Sequence, residues 1–140
     1  MVWSITHDSP DLLSEAVYGL SEHYADAIMS ARLVACPGCY PTAVLTALLP
    51  VIKLGQVSCD DLIIDAKSGV TGAGRSLKET NLFSEIAEGL APYGIAHHRH
   101  APEIEQEIGF AAGSDNVTIN FTPHLAVSYT HLTLPTSYAV

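Results

Sequence analysis

Apolar residues fall in short runs separated by glycine, proline and aspartate, which predicts alternating strands and helices. Ser21 reads as the cap of a helix from Glu22 to about Ala31, with Tyr24, Ala27, Ile28 and Ala31 on one face. Leu33-Val34-Ala35 is a short apolar run, and the segment from Ala43 to about Leu54 reads as a helix that Gly55 ends. Cys59-Asp60-Asp61 turns into Leu62-Ile63-Ile64-Asp65-Ala66, predicted as a buried strand. Residues 77–92 read as weakly helical, stopping at Gly89 and Pro92. Pro102 and the acids at 103, 105 and 107 mark a helix start, with the helix running through Ile108 to about Ala112. Asn116 to Phe121 alternates as a strand does, and Thr122-Pro123-His124-Leu125 closes it. The expected fold class is α/β, a mixed sheet with helices.

Composition narrows the picture. A chain of 140 residues, 48% of them hydrophobic, supports one domain with a modest core. A net charge of −9 argues against nucleic acid or an anionic membrane as partner, yet leaves room for small anions at a local positive site. No apolar run reaches the roughly 18 residues of a membrane span, and no secretory signal pattern opens the chain. Three cysteines, at 36, 39 and 59, form an odd and sparse set that suits a reducing cytoplasm.

Three stretches carry candidate chemistry. In Cys36-Pro37-Gly38-Cys39-Tyr40-Pro41-Thr42 a thiol stands between a strand and a helix, where unpaired N–H groups and the helix dipole favour negative charge. Cys39, nearer the helix start, is the candidate nucleophile. A structural cysteine and a Cys36-x-x-Cys39 redox pair are the competing readings. The second stretch, Lys67 to Ser76, holds three glycines in six residues and ends in Arg75-Ser76. It reads as a flexible turn, as a near-miss of a nucleotide-phosphate loop, or as an anion-binding loop of another kind. The third is His97-His98-Arg99-His100, set against a helix start. It reads as a solvated basic turn, or as a base with an anion clamp in Arg99. A zinc set with Cys36 and Cys39 fits no standard spacing, so no metal is expected. His7, His23 and His124 are read as surface or structural residues.

Five blocks in this order carry a family resemblance: Tyr18-Gly19-Leu20-Ser21-Glu22, Cys36 to Thr42, Ser68 to Arg75, His98-Arg99-His100-x-Pro102-Glu103-Ile104, and Phe121-Thr122-Pro123-His124. Over about residues 3–126 the chain resembles the N-acetyl-gamma-glutamyl-phosphate reductase family, a semialdehyde-dehydrogenase-like, NADP-using group of arginine biosynthesis. The resemblance implies the α+β catalytic and dimerisation domain of that type, with a homo-oligomer in the whole protein. It implies that Cys39 attacks a small-molecule acyl phosphate to form a thioester, which NADPH reduces to the semialdehyde. His100 would be the base, with His98 second in line. Arg99, His98 and Arg75 would hold the substrate's anionic groups, and Ser68, Gly69 and Gly72 would lie near the cofactor.

The same resemblance divides the chain into residues 1–35 as the end of the cofactor-domain region, 36–126 as the catalytic domain, and 127–140 as a non-native tail. That tail, His131 included, resembles the translated end of a transposon used to build sequencing libraries; by pattern alone it would be an edge strand. The Gly-rich strand–turn–helix that binds the dinucleotide is absent from these residues, so the chain by itself is expected to reduce nothing. Cys36 stands where the family often has asparagine or an apolar residue, and a Cys36–Cys39 disulfide would block the site. Outside this family, a thiol–disulfide oxidoreductase or a non-enzymatic dimerisation module would account for part of the pattern.

Overall fold

The structure, a computed structural model, describes residues 7–127. Trp3 and the expected tail strand, with His131, lie outside the described residues. A 3-10 turn over Pro10–Glu15 leads to strand β1 (Ala16–Tyr18), helix α1 (Ser21–Ser30) and strand β2 (Leu33–Ala35). Helix α2 (Cys39–Lys53), strand β3 (Leu62–Gly69), the single turn α3 (Phe83–Ile86) and strand β4 (Leu90–Pro92) follow. Helix α4 (Ala101–Ala112) and strand β5 (Ile119–Ala126) complete the fold.

β1 and β2 form a parallel pair, Tyr18 opposite Ala35. The second sheet is mixed, in the order β3-β5-β4, with β5 parallel to β3 and antiparallel to β4. Pro123 sits in the middle of its central strand, where a proline removes a ladder donor. The Pro123 carbonyl accepts the Tyr93 N–H at 2.9 Å, so its missing N–H falls on the side where β4 has just ended at Pro92. That placement leaves the β3 ladder intact.

The period-2 pattern of β5 sends Phe121, Pro123 and Leu125 into the core. α2 and α4 pack together over that face. Leu45, Leu49 and Ile52 of α2 and Ile104 and Ile108 of α4 join Leu20, Tyr40 and Phe121 in one cluster. Their helical spacing puts these residues on one stripe of each helix.

The sequence expectations hold for the type of most long elements and fail in local detail. α2 begins at Cys39 rather than Ala43, because Pro41 occupies its first turn, where no N–H is needed. Ser21 does not cap α1: Leu20 precedes the helix, and the Ser21 hydroxyl turns to Glu22. β3 is half-buried: its alternation leaves Ile63 79% exposed on a sheet face that nothing among the described residues covers. Residues 77–92 form a 3-10 turn, one helical turn and the edge strand β4 rather than a helix, since local propensity there is weak and pairing with β5 decides. β1 has no counterpart in the expectations, and β5 runs on through Pro123 to Ala126.

Truncating the fully buried Ile104 to alanine should lower stability by about 2–5 kcal/mol. Phe110→Ala, on the exposed side of the same helix, should change it by no more than about 0.5 kcal/mol. Urea unfolding of the two variants measures the contrast.

Candidate active site

The turn after β2 is built to bring a thiol to a helix start. Gly38 is extended (φ −66°, ψ 159°) and precedes Cys39, the first residue of α2, whose side chain is exposed. Thr42 closes the first turn by donating both its N–H and its hydroxyl to the Gly38 carbonyl, each at 2.9 Å. From the other side comes His100, 6% exposed, immediately before α4. A Cβ on Gly38 would stand 2.4 Å from His100 Nε2. Only glycine lets the imidazole lie this close to the backbone beside Cys39.

His100 is one of a packed set of rings. His98 meets it edge to face at 4.8 Å between centroids, and Tyr40 meets both, at 5.7 Å for His98 and 5.9 Å for His100. Phe121 and Tyr93 close the set around Tyr40 and His98. The His100 backbone N–H donates to His98 Nδ1 at 3.2 Å, so neutral His98 carries its proton on Nε2. Tyr93 donates its hydroxyl proton to the Tyr40 oxygen at 3.1 Å, and Tyr40 donates to the His124 carbonyl at 3.4 Å.

Electrostatics keep both imidazoles neutral. Burial, then His100, then Arg99 hold His98 down to about 4. Burial also lowers His100; Arg99 adds to this and the Glu103 carboxylate opposes it. His100 Nδ1 is buried and has no hydrogen-bond partner among the described residues. A neutral imidazole can accept a thiol proton, and the Glu103 carboxylate close to His100 favours the cation that results.

Glu103, in the first turn of α4, accepts the Gly38 N–H at 3.0 Å and the Tyr18 hydroxyl at 2.7 Å on the same oxygen. Sequence reasoning gave it only a helix-start role. The missed signal was its position: Glu103 and Glu107 share the face of α4 that carries Ile104 and Ile108, so those acids point inward. Tyr40 and Tyr93 were missed too, since no local pattern separates them from core aromatics.

The structure joins His98 and His100, seats His100 on Gly38, the residue before Cys39, and leaves Arg99 exposed between the two histidines in sequence. The other expected residues stand apart. Ser68 and Gly69 end β3, with Gly69 opposite Ala126, two residues beyond His124. Gly72 follows in a 3-10 turn, where a Cβ would stand 2.6 Å from Ser68 Oγ and turn that hydroxyl aside. Arg75 is exposed just past Gly74, whose φ of 81° suits glycine. Among the described residues no hydrogen bond or ion pair joins 68–75 to Cys39, His98 or His100. Nor do any three His, Cys, Asp or Glu residues among them gather in a metal-holding arrangement. His124 lies instead on the uncovered sheet face, Nδ1 3.0 Å from Asp65, which also pairs with Lys67.

A depressed histidine gives stability a pH dependence. Above the unfolded value of 6.5 both states are neutral; as pH falls, the unfolded chain takes up a proton that folded His98 refuses until about 4. Stability should therefore drop between those values, by about 1 kcal/mol once solvent screening is allowed for. Thermal unfolding across this window should show a flatter slope for His98→Asn than for the wild type.

Residues 39–134 match the family described as semialdehyde dehydrogenase, dimerisation domain. The chain is 53% identical over 123 residues to N-acetyl-gamma-glutamyl-phosphate reductase of Lachnoclostridium phytofermentans, covering 88% of this chain and 35% of that protein. It is 57% identical over 120 residues to the probable chloroplastic N-acetyl-gamma-glutamyl-phosphate reductase of Oryza sativa subsp. japonica, covering 86% and 29%. Against the Afipia carboxidovorans reductase it is 54% identical over 119 residues, covering 85% and 34%. The chain thus spans about a third of the length of these relatives. With a match over this much of its length, the chain belongs to the semialdehyde dehydrogenase family, whose dimerisation domain it carries.

Proposed function

We propose that this chain is the catalytic segment of an enzyme that reduces N-acetyl-gamma-glutamyl phosphate to N-acetyl-glutamate semialdehyde in arginine biosynthesis. One observation supports the reading above the others: a buried, neutral His100 seated on Gly38, directly beside Cys39 at the start of α2. The names of the 53–57% identical relatives point the same way.

In this reading His100 takes the Cys39 proton, and the sulfur attacks the acyl carbon of the substrate. The C–O bond to phosphate breaks, phosphate leaves with the electron pair, and a thioester remains on Cys39. Arg99, exposed beside the two histidines, and the Nε2–H of His98 suit the anionic groups of the substrate. NADPH, when bound, supplies the hydride that converts the thioester to the aldehyde. Returning the proton from His100 to sulfur resets the pair.

The cofactor contacts within this chain are assigned to Ser68, Gly69 and Gly72. The close approach of Gly72 to Ser68 leaves a backbone surface free of side chain, which fits a flat ring or a polar edge. Arg75, on the same loop, suits the leaving phosphate. The protein is assigned to a reducing cytoplasm, which would maintain the free thiols at Cys36, Cys39 and Cys59. It is proposed to act as a homo-oligomer, with the face bearing exposed Ile63 available for association.

In the full-length protein, His100→Asn should lower kcat by about 10²–10⁴-fold with little change in KM, and Cys39→Ser should abolish turnover. Cys36→Ser should leave the rate unchanged. Steady-state kinetics with acyl phosphate and NADPH decide it; a Cys36→Ser enzyme as inactive as Cys39→Ser would favour dithiol chemistry instead.

A further inference from the structure

Two hydroxyl–carboxylate pairs tie the N-terminal part of the described chain to α4. Tyr18, the last residue of β1, donates to Glu103 Oε1 at 2.7 Å, and Tyr24 of α1 donates to Glu107 Oε2 at 2.6 Å. The tyrosine rings meet edge to face at 6.1 Å, and the two acids lie one turn apart on α4. The pairs share their chemistry but differ in what lies beyond them. Glu103 Oε1 also takes the Gly38 N–H at 3.0 Å, whereas Glu107 bonds only Tyr24 among the described residues.

Tyr18 is itself fixed by the backbone. It stands opposite Ala35 in the β1–β2 ladder, and the next residue, Gly19, donates its N–H to the Ala35 carbonyl at 2.9 Å. Cys36 follows Ala35 directly. The turn at 36–38 is therefore held at its entry by the strand pair and at its exit by the carboxylate that Tyr18 touches.

We propose that Tyr18 is a positioning residue of the thiol site: its hydroxyl orients the Glu103 carboxylate so that Oε1 takes the Gly38 N–H, which sets the turn carrying Cys39 against His100. This rests on the reading of Cys39 and His100 as the reacting pair. A glutamate side chain has several rotamers within reach, and a second donor on the same oxygen selects one of them. The carboxylate faces Tyr18 from β1, Gly38 from the turn and His100 from just before its own helix, while Glu107 and Tyr24 lie close to Tyr18. Burial and the Glu103 contact hold the Tyr18 phenol far above its ordinary range, so it remains a donor at any working pH. Phenylalanine at 18 keeps the ring packing and removes only that donor.

Tyr18→Phe and Tyr24→Phe, compared in the intact protein, form the test. The readouts are amide hydrogen exchange at Gly38 by NMR and the rate of iodoacetamide alkylation at Cys39 by peptide mass at neutral pH. Tyr18→Phe should speed Gly38 exchange about tenfold and change the alkylation rate at least about threefold, as expected for losing a charge-assisted bond. Tyr24→Phe should leave both at wild-type values, although it also removes a hydroxyl–carboxylate bond and lowers the unfolding temperature. Glu103→Gln keeps an acceptor oxygen without the charge and should weaken Gly38 protection part way, providing a second variant. Equal movement of the readouts in both tyrosine variants, or an unchanged Gly38 amide in Tyr18→Phe, overturns the proposal. A failure of the underlying reading looks different: His100→Asn would leave Cys39 alkylation unaltered while Gly38 protection still depended on Tyr18. That pattern leaves a clamp with no reacting pair to serve, and it too rejects the positioning role.

Discussion

The seating of the His100 ring on Gly38 is the contact the site is built around. At 2.4 Å from where a Cβ would stand, the imidazole occupies space that any other residue would fill. That closeness is possible only if α4 begins where α2 begins, so the two helices must pack with their N-termini together. Ile104 and Ile108 in one cluster with Leu45, Leu49 and Ile52 achieve this, a hydrophobic seam that is non-directional in itself. Direction comes from the Glu103 carboxylate, which reaches from the first turn of α4 to the Gly38 N–H and fixes the axial position of one helix on the other.

Polar groups in so small a core are costly unless paired, and here they pair across long sequence separations. Glu107 is 2% exposed and answered by Tyr24; Glu103 is answered by Tyr18 and Gly38. The same burial has opposite consequences for different groups. It pushes the Tyr24 phenol up to about 12 and His98 down to about 4, so both are held neutral. His100 Nδ1 stands apart from these pairs, buried without a hydrogen-bond partner among the described residues.

Much of the candidate site's placement was legible in the sequence because Cys39 and His100 sit at element boundaries that local chemistry marks. Pro37-Gly38 and Pro41 flag the turn and the helix start around Cys39, and Pro102 with its acids flags α4 just after His100. What remained hidden was held by distance in the chain. Tyr18 meets Glu103 across 85 positions and Gly38 meets it across 65, pairings that no local pattern encodes. The same holds for the fold: the three-residue strands β1 and β4 are too short for periodicity to reveal, and they exist because β2 and β5 offer an edge to pair with. The glycine loop was read as anion-binding from composition, yet its backbone follows from being the end of β3, with a single positive-φ residue at Gly74.

The two faces of the mixed sheet carry different kinds of residue. Toward the helices, Phe121, Pro123 and Leu125 support Tyr40 and the ring cluster. On the other face Asp65 pairs with Lys67 and lies beside His124, Asn120 bonds Asp61, and Ile63 and Leu90 are left as large apolar residues in the open. Polar pairs flanking an apolar centre make a face soluble alone and still able to bury a patch, the arrangement common to protein interfaces. The contacts that align the described site run through α2, α4, β1 and the 36–38 turn, all within one chain and on the covered side. A second copy on the open face would thus add stability to the sheet without having to create the geometry of Gly38, Glu103 and His100.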